Sequence, residues 1–265
     1  MKPPKAQFDN PPQVAAFNGA LELNGDEGGG IIIAGDLHAP ATDWDMAARV
    51  AGIGRKYLRK PRRLILAGDL LNADAYSPFT ALLPPPSFEV ERQAAQYAIG
   101  QWLEVFDEID IIPGNHDFRF FKLFEGAFSE GGLIDIFRAL LTGDKRVRYS
   151  LYPYLTVNCA RTGKWRICHP AEYGQILLSK ARKLATRYQS HLILPHQHYA
   201  AMGIHENGNY AVVDLPALAD YEKLAYVQLS SKSNPSMQCG FGAILNGAFH
   251  LFTKNEALTD WSRWL

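Results

Sequence analysis

Short, nearly uninterrupted apolar runs set the tightest limit on how this chain folds: Ile31-Ile32-Ile33-Ala34, Leu64-Ile65-Leu66-Ala67, residues 109–112 and Leu192-Ile193-Leu194. A strand with one face in water alternates apolar and polar residues. A run that stays apolar belongs to a strand covered on both faces. Trp165-Arg166-Ile167-Cys168 alternates more, which predicts a strand nearer an edge. Stretches with helical spacing separate these runs, over residues 44–60, 88–106 and 173–188. In the last of these, Ile176, Leu177, Ala181 and Leu184 recur on one face. Further helical material is expected over 118–141, interrupted at Gly126 and at Gly131-Gly132. Strand, loop and helix thus alternate, and the pattern predicts a layered α/β fold.

The flanking segments read differently. Residues 1–30 are rich in Pro, Gly and Asn and are expected to form an N-terminal arm, with a small edge element near 13–23. Pro78 and Pro84-Pro85-Pro86 mark 73–87 as a surface loop. Residues 199–265 look β-rich, with short strands expected over 210–214, 225–229, 241–245 and 248–252. With 265 residues, 47% of them hydrophobic, the chain is expected to form one domain over 1–265 that includes this β-rich part.

Composition narrows the function classes. Lys+Arg and Asp+Glu are equal at 27 each, so the overall basic footprint of a nucleic-acid binder is missing. The basic stretch 55–63 is read as a helix end facing solvent. Cys159, Cys168 and Cys239 fit reduced thiols better than a disulfide framework. The N-terminus does not resemble a signal peptide, and no apolar run is long enough to span a bilayer. The expected setting is therefore cytoplasmic, with no membrane partner.

Each apolar run stops at a polar cluster: Asp36-Leu37-His38, Gly68-Asp69, Gly114-Asn115-His116-Asp117, His169 and His196-Gln197-His198. In open α/β sheets, ligands gather where loops leave the C-terminal strand ends. Asp36 and His38 lie two apart, so an extended backbone would point both side chains the same way. Gly68 permits a close turn. Asp69 can bridge two ions through its two oxygens, which an imidazole with one free lone pair cannot do. Asn115 adds an uncharged carbonyl oxygen, and His196 and His198 repeat the two-residue spacing. Mixed imidazole and carboxylate donors suit Mn, Fe or Zn better than an all-oxygen Mg or Ca cage. Two such ions about 3.5–4 Å apart can stabilise both the attacking and the leaving oxygen of a phosphoryl displacement. His116 is the candidate general acid, with Asp117 expected to accept a hydrogen bond from its other nitrogen.

In order and strand-end context, these five motifs resemble the calcineurin-like metallophosphoesterases, or binuclear metallophosphatases. The motifs run from Asp36 to His198. The resemblance implies a four-layer α/β/β/α sandwich, with two mixed β-sheets flanked by helices. It implies that Asp36, His38, Asp69 and His198 hold one metal, that Asn115, His169 and His196 hold the second, and that Asp69 is shared. Two divalent or trivalent ions are implied, Mn first with Fe or Zn as alternatives. His116 would stabilise the phosphate or protonate the leaving group while a metal-bridging hydroxide attacks phosphorus. The chain departs from the pattern at Pro195, where the family usually has Gly, and at Asn72, where many relatives have Asp. The absence of Asp-Arg-Gly after Gly68-Asp69 argues against the eukaryotic protein phosphatase branch.

The expected substrate is a phosphomonoester or phosphodiester. The alternatives are a DNA or RNA nuclease of the same superfamily and a metal-stabilised, non-enzymatic scaffold. Several nearby residues admit two roles. Phe118, Phe120, Phe121 and Phe124 suit a cleft or a helical core face, Arg119 a phosphate contact or a surface ion pair, and Tyr76 and Phe79 a substrate contact from the loop. His191, His205 and His250 match no motif and are expected to be structural or solvent-facing.

Overall fold

Strands β2 (Gly30–Ala34), β3 (Arg63–Ala67) and β4 (Glu108–Ile112) realise three of the apolar runs and pair in parallel, side by side. The computed structural model describes residues 19–77, 84–124, 126–228 and 237–265. Around these strands, β5 (Val147–Tyr149), β11 (Gly240–Leu245) and β12 (Ala248–Thr253) complete a six-stranded sheet in the order β12-β11-β2-β3-β4-β5. A second six-stranded sheet has the order β1-β6-β7-β8-β10-β9. It comprises β1 (Glu22–Asn24), β6 (Tyr154–Cys159), β7 (Gly163–Cys168), β8 (His191–Leu194), β9 (Ala201–Ile204) and β10 (Ala211–Asp214). Both sheets mix parallel and antiparallel pairs.

The period-2 geometry of strands explains how the runs become layers. Ile31, Ile33, Ile65, Ala67 and Ile112 of the first sheet pack against Leu155, Trp165, Ile167, Ile193 and Val213 of the second. Their neighbours Ile32, Ala34, Leu64, Leu66, Ile109 and Ile111 point the other way, into a core shared with helices. Those helices are α1 (Trp44–Tyr57), α2 (Phe88–Leu103), α3 (Asn115–Phe121) and α4 (Glu130–Leu141). On the far side, Leu192, Leu194 and Val212 meet Ala181 and Ala185 of α5 (Ser179–Tyr188). The result is the expected four-layer α/β/β/α sandwich. Phe241, Phe252 and Trp261 from the β-rich C-terminal part lie in the same core as α1 and α2.

Helix starts follow the chemistry of their caps. Asp43 accepts from Met46 N at 3.0 Å to open α1, and Ser87 and Ser129 cap α2 and α4 the same way. Ser129 also explains why Gly131 and Gly132 lie inside the first turn of α4 instead of interrupting it, since Gly132 N donates to the cap. Four further expectations are corrected. The strand expected over 225–229 is the one-turn helix α6 (Ala225–Gln228), residue 229 lying outside the described residues. β7 is interior, paired with β6 and β8; its alternation arises because Arg166 stacks on Tyr154 and Tyr188, 3.6 and 4.0 Å from the ring centroids. The helix expected over 173–188 begins only at Ser179. Arg63 is likewise not solvent-facing: it is buried among Glu27, Glu108 and Asp110. The edge element near 13–23 is described only as β1, and residues 13–18 and Phe79 lie outside the described residues.

Glu91, on α2, is buried and accepts a hydrogen bond from Ala73 N at 2.7 Å. Burial, with Asp74 nearby, outweighs that bond and raises its carboxyl from 4.5 to about 7. A raised carboxyl means that the folded chain holds the proton more tightly than the unfolded chain does. Its contribution is therefore fully present below pH 4.5 and is lost as pH rises to about 7. Glu91→Gln is expected to remove a pH-dependent loss on the order of 3 kcal/mol, read from urea unfolding at pH 4.5 and pH 8. Parallel pH dependence in the two proteins would contradict this.

Candidate metal centre

The polar clusters meet because parallel strands deliver them to one end of the sandwich. Asp36 and His38 follow β2, Asp69 follows β3, and Asn115 and His116 open α3 just after β4. His169 follows β7, and His196 and His198 follow β8, in the other sheet. The two groups touch across the sheets: His198 Nε2 lies 3.1 Å from Asp36 Oδ1, and His169 Nε2 lies 3.3 Å from Asp69 Oδ2.

The backbone route differs from the extended one that the spacing suggested. Asp36, His38, Asp69, His196 and His198 all have positive φ, at 53°, 45°, 49°, 77° and 58°. Left-handed backbone costs a residue other than glycine on the order of 1 kcal/mol, so something must hold it. The loops after β2 and β3 run side by side, with Asp36 N, His38 N and Ala39 N donating to Gly68 O, Asp69 O and Leu70 O at 2.9–3.1 Å. His196 N donates to Asp36 Oδ2 at 2.9 Å, fixing the last turn to the first.

Two glycines are required by close approach. Gly68 has φ +92°, and a Cβ there would fall 2.2 Å from His169 Nδ1. At Gly114 a Cβ would fall 2.1 Å from Asp69 Oδ1. The expectation that Gly68 allows a close turn is thus met by a specific neighbour.

Possible donor atoms within 4.8 Å of one another form the sets Asp36/His38/His198, His38/Asp69/His116 and Asp69/His169/His196. A buried cluster of histidine and aspartate side chains therefore forms two adjacent potential metal-binding sites. Asp69 faces both: its Oδ2 lies 3.9 Å from His38 Nε2 as well as 3.3 Å from His169 Nε2. Asn115 Oδ1 joins the second site, 3.2 Å from His169 Nε2.

Hydrogen bonds select the nitrogen that each ring turns inward. His38 Nδ1 donates to Asn72 Oδ1 at 3.1 Å, His116 Nδ1 to Asn72 O at 2.6 Å and His169 Nδ1 to Ala67 O at 2.9 Å. In each case Nδ1 is committed to a partner outside the donor sets, and Nε2 is the nitrogen left to face the centre. His196 Nε2 is buried with no hydrogen-bond partner among the described residues, and His196 shares a donor set with Asp69 and His169. A buried nitrogen left unsatisfied in a set that includes a carboxylate is what a bound cation would complete, so the donor set fits a metal.

The electrostatics favour ionised carboxylates. Burial alone would raise Asp36 and Asp69, but His198 beside Asp36 and His169 beside Asp69 bring both below the usual carboxylate range. Burial would lower His169, and Asp69 reverses this, raising it to about 10. Burial and neighbouring His169 push His196 down to about 4. Burial and His116 lower His38, while burial and Arg119 lower His116 against the pull of Asp69.

The expected pairing of Asp117 with the His116 ring is corrected. Asp117 accepts from Gly114 N, Leu70 N and Leu71 N at 2.9, 3.3 and 3.2 Å, while the His116 ring donates to Asn72 O. A carboxylate at the third position of α3 satisfies backbone N–H groups more readily than it reaches the adjacent ring. Burial and Asp69 raise Asp117 to about 7.

The residues left with two roles also separate. Phe120 and Phe121 are buried in the helical core, with Phe118, Phe124 and Tyr76 packed against it. Arg119 pairs with Asp74 at 3.1 Å, as a structural ion pair would, yet its Nη2 lies 3.1 Å from His116 Nε2. His191 is structural, bonding Thr162 O and Ala211 N, and His205 bonds Thr186 Oγ1. Asn72, Asp74 and Gln197 were not singled out as functional by sequence. Their position inside or just beyond the second and fifth motifs was the available signal.

No protein-family model matches the chain, and no curated protein matches it. Among the described residues, no helix is long and apolar enough to cross a membrane. The clustered histidine and aspartate side chains give the centre the character of a metal-dependent catalytic site, consistent with a general hydrolase function.

Gly114→Ala is expected to displace Asp69 and at least halve the divalent metal retained per chain, measured by elemental analysis after Mn loading. Unaltered metal content would show that the Asp69 carboxylate is not a ligand.

Proposed function

We propose that the protein is a metal-dependent phosphoesterase that hydrolyses a phosphomonoester or phosphodiester. One observation carries the assignment: the buried Asp69 carboxylate faces two imidazole-rich donor sets at once. Asp36, His38 and His198 would hold one ion, Asn115, His169 and His196 the other, and Asp69 both. Bound divalent ions, Mn first and Fe or Zn as alternatives, would supply Lewis-acid charge at the phosphoryl oxygens and lower the pKa of water.

The remaining roles belong to the chain. Asn72 O holds His116 Nδ1–H at 2.6 Å, so Nε2 is the atom that meets phosphate or hands a proton to the leaving oxygen. Arg119 Nη2 lies 3.1 Å from that same atom, so its guanidinium lies beside the position from which His116 would act. In this reading Asp117 acts by positioning, since its carboxylate accepts from Gly114 N, Leu70 N and Leu71 N. The chain works as one domain in this scheme, since Phe241, Phe252 and Trp261 share the core that supports β2 and β3.

The test is a panel of 4-nitrophenyl phosphate, bis(4-nitrophenyl) phosphate and single- and double-stranded DNA and RNA, each with added Mn. Turnover of a small ester is expected. Strong nucleic-acid cleavage with negligible small-ester turnover would instead make the protein a nuclease. His116→Ala is expected to retain metal and lose about 10²–10⁴-fold in kcat. Asp69→Asn is expected to lose metal as well as turnover. Unchanged turnover in both variants would leave a metal-stabilised scaffold as the better description.

A further inference from the structure

Residues 173–178 carry helical apolar spacing, yet they lie outside α5 and leave large apolar side chains in solvent. Ile176 and Leu177 are 73% and 51% exposed, and Tyr173 is 42% exposed. Five polar contacts fasten this segment and Glu172 just before it. Gln197, the residue between His196 and His198, accepts from Gly174 N at 2.6 Å through Oε1 and donates to Glu172 O at 3.3 Å through Nε2. Asp214 at the end of β10 accepts from Leu178 N at 2.6 Å. The Tyr173 and Tyr199 hydroxyls are 2.5 Å apart, and Tyr199 is buried. Glu172 pairs with Lys180 on α5.

These bonds commit the Tyr173 hydroxyl and leave its ring open. The ring stands edge-on to His196, with centroids 6.2 Å apart and planes 77° apart. Tyrosine joins a large apolar ring to one polar handle, so a hydroxyl held by a partner leaves the exposed side of the ring as its contact surface. Here the polar end is tied down and an apolar surface borders the donor set of the second site. Given the phosphoester chemistry proposed above, we infer that Tyr173 is a specificity-determining residue that packs against a planar aromatic group of the ester substrate. Ile176 and Leu177 extend the exposed apolar character of the same fastened segment. Because Gln197 anchors the segment to the turn bearing His196 and His198, the position of the ring is set by the same turn that presents the donors.

The test reads affinity, not turnover. Mn-loaded protein is titrated calorimetrically with phenylphosphonate and with methylphosphonate, which share the phosphorus group and differ in the ring. The unsubstituted protein is expected to prefer the phenyl compound by about three- to tenfold, the size of one aromatic contact. Tyr173→Ala is expected to bring that preference within about twofold, and Tyr173→Phe to keep it. Metal content is expected to be equal in all three proteins, because Tyr173 supplies no donor. Absent or equal binding in the unsubstituted protein, an unchanged preference in Tyr173→Ala, its loss in Tyr173→Phe, or a fall in metal content would each overturn the inference. Hydrolysis of the ester panel is scored separately, so failure of the phosphoesterase assignment and failure of the aromatic subsite are distinguishable.

Discussion

A single buried carboxylate organises this protein. Asp69 is 1% exposed, and an ionised group so far from water is stable only when charge and hydrogen bonds surround it. His116 N donates to one oxygen at 2.8 Å, and His169 and His38 stand near the other. Satisfying Asp69 therefore draws groups from β3, β4, β7 and β2 to one point. The glycines at 68 and 114 remove the side chains that would occupy that point. Burial and the imidazoles act on Asp69 in opposite directions, and the imidazoles prevail.

The two sheets contribute in different ways. From the sheet containing β2, β3 and β4 come Asp36, His38, Asp69 and the start of α3, locked to one another by main-chain bonds. From the other come His169, His196 and His198, met by side-chain contacts and by the bond from His196 N to Asp36. Alternation within the fifth motif divides labour further. His196 and His198 turn toward the carboxylates, while Gln197 turns away and fastens the segment bearing Tyr173. A three-residue stretch thus connects the donor sets to the neighbouring apolar surface.

Much of this was legible in the residues. Ile31 to Ala34 and Leu64 to Ala67 announce strands covered on both faces, and they are buried throughout. The strand-end clusters converge as their placement after such runs implies. What escaped was governed by contacts distant in sequence. The spacing of Asp36 and His38 says nothing of left-handed backbone, which depends on pairing with the loop after β3. Arg166 looked like an edge-strand residue because its stacking partners, Tyr154 and Tyr188, lie in other elements. Asp117 looked like a partner for its neighbour His116, but three main-chain N–H groups claim it. The apolar spacing of 173–178 gave way to tertiary anchors at Gln197 and Asp214.

The left-handed residues of the centre make its geometry a shared property of several loops. Each is unfavourable in isolation, and the five in the centre persist because neighbouring loops hold them. The donor atoms are therefore positioned by main-chain bonds from the loop after β2 to acceptors such as Gly68 O and Leu70 O, whose residues supply no donor. A substitution that slackened those bonds would move the donors without replacing any of them.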